Sequence, residues 1–111
     1  MILNAEELLE EIDNDRELLE QMFQMFEADA DRRIALIRAA ISSGDAATLS
    51  AEAHALKGGV GNFFAMPVYE TAQELETMGR DDRIDAARET FEKLEIQLAE
   101  LKQELRELIA G

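Results

Sequence analysis

From Ile84 onward the chain repeats apolar residues in alternating steps of three and four: Ile84, Ala87, Phe91, Leu94, Leu98, Leu101, Leu105 and Leu108. That spacing winds into one stripe on an α-helix and forms no coherent face on a strand. A helix of this kind has to be covered by other helices. A second stretch offers such a cover, with Leu18, Met22, Phe26, Ile34, Ile37 and Ile41 predicted on one side. Proline, the residue that most effectively breaks helices, occurs once in 111 residues, while Ala, Leu, Glu and Arg are abundant.

The breaks between helices are local. "EIDND" supplies N-cap candidates after a short first helix, and "SSGDAAT" pairs a helix-ending Gly44 with a capping Asp45. Pro67 disfavours helical geometry at Met66, which predicts a stop near Ala65 and a new start at the proline. "GRDDR" (Gly79 to Arg83) carries the same stop and cap residues. Five helices are predicted: a short one near 4–12, then about 15–43, 46–64, 67–79 and 82–110. Short turns force successive helices antiparallel, so the expected fold is all-α, an up-down four-helix bundle with a short extra N-terminal helix as a lid. One core is expected, with residues 1–111 as a single domain. The last helix, about 42 Å long at 1.5 Å per residue, either covers its own bundle or extends as a coiled-coil or dimer seam; the stripe fits both.

Charge and composition then narrow the function. With 25 acidic and 11 basic residues the net charge is −14. Such a chain repels phosphate backbones and anionic lipids, so neither nucleic acid nor a membrane is expected as a partner. Without cysteine there is no disulfide and no thiolate metal site, which fits a reducing compartment. No apolar run approaches the roughly 20 residues of a membrane span, and "MILNAEELLEEID" is acidic and patterned, unlike a signal peptide. A cytoplasmic location and protein partners are expected.

One stretch departs from the helical pattern. "AHALKGGVGNFFA", Ala53 to Ala65, holds the only histidine and three of the six glycines. At 100° per residue Leu49, Ala53, Leu56, Val60 and Phe63 fall within about 40° of one line and face the core. His54 sits roughly 140° away, among Ala47, Ser50, Ala51, Lys57, Gly58 and Gly61. Bulky and acidic side chains are nearly missing from that face. Each mid-helix glycine costs about 1 kcal/mol relative to alanine, and Gly58 and Gly61 are placed where a docking protein would approach the imidazole.

The chemistry open to such a histidine is limited. A metal site lacks its ligands, since there is one His, no Cys and no Glu-x-x-His pair. No constellation of nucleophile, base and oxyanion hole is visible for hydrolysis. A neutral imidazole can instead take a phosphoryl group on a ring nitrogen. Lys57, three residues on, would offset the phosphate charge. There is no P-loop, so the phosphoryl group has to come from another protein.

These residues resemble a known family. "AHALKGGVGNFFA" is similar to the His-x-x-Lys-Gly signature of histidine-containing phosphotransfer (HPt) domains, and "LLEEIDNDRELLEQMFQMF", "AAISSGDAATL" and "AQELETMGR" resemble the stretches around it. The resemblance implies a four-helix bundle in which His54 accepts a phosphoryl group and passes it to or from the aspartate of a response-regulator receiver domain, with a sensor histidine kinase as a further partner. It implies a phosphocarrier without an ATP site, with no cofactor of its own and Mg²⁺ on the receiver domain. By position, Lys57 matches the lysine of the motif and Gly58 its glycine. Glu76 falls where the family often places a Gln or Glu against the imidazole; a carboxylate on Nδ1–H would aim Nε2 outward. Arg80 is expected to pair with Glu76, with phosphate, or only along its helix. Ser50, Ala51, Gly58, Gly61, Asn62 and Arg80 make up the expected docking face, with Lys57, Arg80 and Arg83 as a local exception to the acidic charge. Phe64 departs from the glycine that many relatives carry there. Two other readings stay open: a non-transferring helical interaction or dimerisation module, and a dimeric phosphohistidine phosphatase or kinase dimerisation domain. A monomer favours the first reading over both.

Overall fold

In a computed structural model that describes residues 2–111, the chain forms five α-helices: α1 (Ala5–Glu11), α2 (Arg16–Ser43), α3 (Ala46–Gly61), α4 (Met66–Arg80) and α5 (Ala87–Ala110). Caps explain most of the boundaries. The side chains of Asn4, Asp15 and Asp45 accept hydrogen bonds from the amides of Glu7, Leu18 and Thr48, each satisfying a donor that the first helical turn leaves free. Gly44 ends α2 at φ 74°, the left-handed conformation in which a side chain is strained. Pro67 lies in the first turn of α4, where its missing N–H loses nothing.

The ion pairs between helices give the topology. Glu27, Asp31 and Arg38 of α2 meet Arg106, Lys102 and Glu95 of α5 at 2.6, 2.5 and 2.5 Å. Numbers that rise along one helix fall along the other, so the two are antiparallel. Each of the four long helices packs on its successor, and α5 returns against α2. The bundle is all-α and up-down, with the short α1 added at one end. Leu8 of α1 is fully buried, and Leu3 and Ile12 join the same core. The amides of Ile2 and Leu3 donate to the carboxylate of Glu104 at 2.9–3.0 Å. That N-terminal segment covers the far end of α5, where Leu108 and Ile109 pack on the core. No described helix is long and apolar enough to cross a membrane.

Four sequence expectations need correction. The buried line of α2 runs through Leu19, Phe23, Phe26, Ala30, Ile37 and Ala40. Leu18 is exposed, and Met22, Ile34 and Ile41 sit at the margins. The buried line is thus turned by about one position from the expected one, keeping Phe26 and Ile37 in common and bringing Ala30 and Ala40 into the core. Helix α3 stops at Gly61 rather than near residue 64, and Phe64 turns the corner at φ 56° with its carbonyl accepting from the amide of Asn4. The segment 82–86 is not α-helix: Asp82 lies at φ 55°, and a single 3₁₀ turn (Ile84–Ala86) leads into α5.

Gly79 is the fourth. The expected stop holds to within one residue, since α4 ends at Arg80, but Gly79 is not a left-handed terminator: it lies buried on a line with Val68, Ala72 and Leu75. A Cβ on Gly79 would stand 2.7 Å from the Ser50 nitrogen and 2.8 Å from the Ala46 carbonyl oxygen, both backbone atoms of α3. The two helices therefore touch backbone to backbone at this point. Gly79→Ala is expected to lower the unfolding free energy by about 1–3 kcal/mol through overpacking, measured by urea unfolding; unchanged stability would show that the crossing has room to spare.

Candidate functional site

The close crossing of α3 and α4 brings three side chains together one turn further along. His54 and Lys57 stand on α3, three residues apart and so on neighbouring positions of one face. Glu76 faces them from α4, three residues before Gly79. The Nδ1 of His54 lies 2.9 Å from Glu76 Oε2, and the Nζ of Lys57 lies 2.8 Å from Glu76 Oε1. Exposure divides the group sharply: the His54 side chain is 67% exposed, those of Lys57 and Glu76 only 17% and 13%.

That geometry assigns the protons. A carboxylate only accepts, so the ring nitrogen facing Glu76 carries the hydrogen and donates it. The other nitrogen, Nε2, then holds the free lone pair of a neutral ring. Lys57 Nζ also lies 5.6 Å over the ring of Tyr69, near enough for a cation–π attraction. Lys57, and secondarily the bond from His54, hold the Glu76 carboxyl below its ordinary 4.5, against the opposing effect of burial.

The expected docking residues fall in different places. Ala51, Gly58 and Asn62 are exposed, Asn62 as the C-cap of α3. A Cβ on Gly58 would meet nothing within 4 Å. Ser50 is half-buried at the Gly79 crossing, and Gly61 lies under the Tyr69 ring, so neither is bare surface. Arg80 does not pair with Glu76; its guanidinium donates to Thr77 Oγ1 at 3.3 Å. Arg83 lines a separate groove with Glu70, Gln73, Glu74, Thr77 and Met78. The lysine of the expected positive patch of Lys57, Arg80 and Arg83 is thus paired with Glu76.

Two contributors escape a reading of the sequence. Tyr69 supports Lys57 from α4 without belonging to any motif. Gly79 resembles a helix stop, although its steps of four, three and four from Val68 through Ala72 and Leu75 mark it as a core position. On the α2 side a groove lined by Met22, Met25, Phe26, Asp29, Gly59, Asn62 and Phe63 runs beside α3, with Met25 76% exposed. Among the described residues no three His, Cys, Asp or Glu side chains converge as a metal site would require.

Comparison with known proteins bears on the family and on the fold. The family model described as Hpt domain matches residues 21–110. The crystal structure of histidine-containing phosphotransfer protein B (HptB) from Pseudomonas aeruginosa PAO1 superposes with a TM-score of 0.90 at 24% sequence identity, covering 98% of this chain and 95% of that one. At that identity the likeness is one of fold. No curated protein gives a significant match.

The depressed Glu76 value makes the site's contribution to stability depend on pH. A group whose folded pKa lies below its unfolded one stabilises fully above the unfolded value, and that contribution is lost as pH falls through the folded value. Glu76→Gln is expected to lower unfolding free energy by about 1 kcal/mol at neutral pH and by less at about pH 4, below the group's ordinary 4.5. Equal gaps at both pH values, read by urea titration, would show that the carboxylate charge contributes nothing.

Proposed function

The chain belongs to the Hpt domain family, and from that premise we propose that it is a phosphorelay intermediate that carries a phosphoryl group on His54. The observation that supports this most directly is the orientation of the imidazole: Nδ1 is engaged by Glu76 at 2.9 Å, and the ring is 67% exposed. Nε2 of the neutral ring attacks the phosphorus of an aspartyl phosphate on a receiver domain; the N–P bond forms as the P–O bond breaks, and the aspartate leaves as a carboxylate. The ring becomes a phosphorylated imidazolium, still carrying its Nδ1 proton. Glu76 thus orients the ring before transfer and balances its positive charge afterward. The reverse reaction returns the group to an aspartate along the same path.

The partners follow from the same premise. A receiver domain exchanges the group with His54, and a sensor histidine kinase stands elsewhere in the relay. ATP chemistry belongs to the kinase and Mg²⁺ to the receiver domain, so this chain acts as a carrier with no cofactor of its own. The whole of 1–111 acts as one domain, monomeric and cytoplasmic. The docking face comprises Ala51, Gly58 and Asn62, with Ser50 and Gly61 beneath it and Arg80 at its edge. Gly58 supports this placement: a side chain there would meet open space within the chain, so the fold does not require glycine.

Two measurements test the reading. Incubated with a phosphorylated receiver domain, the native chain is expected to acquire acid-labile, base-stable label and His54→Gln none. Label on His54→Gln would displace the site, and no label from several receivers would leave an interaction module that does not transfer. Gly58→Ala is expected to stabilise the bundle by about 0.5–1 kcal/mol by restoring helix propensity, whereas Gly58→Leu slows transfer at least about tenfold by obstructing approach, the equivalent of 1.4 kcal/mol. Undiminished transfer by Gly58→Leu would remove Gly58 from the docking face.

A further inference from the structure

Met25 of α2 is 76% exposed, more than any other large apolar side chain among the described residues. Its surroundings set it apart from a chance surface methionine. It stands in the wall of the groove between α2 and α3, with the half-buried Met22 and an edge-to-face pair of buried rings, Phe26 and Phe63, whose centroids are 5.1 Å apart. Asp29, the charge in that wall, is already answered by Arg32 and Arg33 at 2.8 Å. The α3 side of the groove includes Asn62, which also belongs to the docking face around His54. The bundle gains little from so exposed a side chain, so the Met25 thioether can change chemically without loss of the fold. Five methionines are the only sulfur in a chain that has no cysteine.

We infer that Met25 is a site of reversible oxidation, with a hydroperoxide as the oxidant, and that its sulfoxide weakens the docking of a receiver domain on the neighbouring face. The inference rests on the reading of that face as the docking surface. A lone pair of the Met25 sulfur attacks the terminal oxygen of the hydroperoxide, and the S–O bond forms as the O–O bond breaks. Sulfur is oxidised and the peroxide reduced; the departing alkoxide or hydroxide takes the proton of the transferred oxygen and leaves as an alcohol or water. The product carries a strong S–O dipole where an apolar side chain stood. A partner that covers the groove has to strip water from that dipole, and Met22, Phe26 and Phe63 offer it no hydrogen-bond donor. Met66, 53% exposed, lines a different groove with Ile2 and Phe64, so its oxidation leaves docking alone.

The test treats the native chain with dilute hydrogen peroxide, follows each methionine by peptide mass spectrometry, and measures the dissociation constant for a receiver domain by calorimetry before and after. Met25 and Met66 are expected to gain oxygen several-fold faster than Met22 and Met78, with the helical circular dichroism unchanged. Docking should weaken by about three- to tenfold, and methionine sulfoxide reductase should restore it. In Met25→Leu the same treatment should leave that variant's own constant unchanged, whereas Met66→Leu should respond as the native chain does. Undiminished docking with Met25 oxidised, or a loss of equal size in Met25→Leu, would overturn the inference. Calorimetry needs no phosphoryl group, so the outcome is separate from the labelling experiment. A chain whose docking falls on oxidation of Met25 but which never takes label would overturn the carrier reading alone. One that takes label and docks unchanged after oxidation would overturn the inference alone.

Discussion

Backbone contact between α3 and α4 at Gly79 sets the geometry on which everything else in the site depends. Helices separated by ordinary side chains lie 8–10 Å apart, and a glycine at the crossing brings them closer. Because α4 runs antiparallel to α3, the residue one turn before Gly79 on α4 faces the residue one turn beyond Ser50 on α3. Those residues are Glu76 and His54. Glu76 is short and mostly buried, and its carboxylate reaches both the imidazole and the ammonium because the helix that bears it is held close.

The electrostatics of the site are local and run against those of the molecule. A chain with net charge −14 is expected to disfavour any acidic partner at long range. Around His54 the charges are internally balanced, with the Glu76 carboxylate answered by Lys57 and the neighbouring exposed positions occupied by Ala51, Gly58 and Asn62. The face is therefore close to neutral rather than positive. A groove of methionine and phenylalanine side chains, with Asp29 in its wall and Met25 exposed, runs beside it.

Much of the fold was legible because helix periodicity and caps are local properties. Asp15, Gly44 and Asp45 mark their boundaries by side-chain chemistry that acts within one turn, and the α5 stripe from Ala87 to Leu105 is buried as its spacing predicts. Where neighbours decide, the reading faltered. Gly79 looks like a helix stop when only its own sequence is weighed and becomes a crossing point when α3 lies against it. The α2 stripe was displaced because the sequence pattern does not say which flank of a helix its neighbours cover, and Ala30 and Ala40 read as neutral until they do. His54 and its exposure followed from one helical wheel. That Glu76 would take both His54 and Lys57, and that Tyr69 would lie beneath the lysine, depends on the relative placement of two helices, which no single-helix pattern contains.

The grip of Glu104 on the amides of Ile2 and Leu3 joins the two extremes of the described chain, across 102 and 101 positions. The entropy lost in closing a loop grows with its length, so this contact costs more chain entropy to close than one between neighbours in sequence. The pairing of His54 with Glu76 closes over only 22 positions, within a hairpin of consecutive helices. The orientation of the imidazole therefore rests on a contact of low closure cost inside two consecutive helices and not on the pairing of the chain's distant segments.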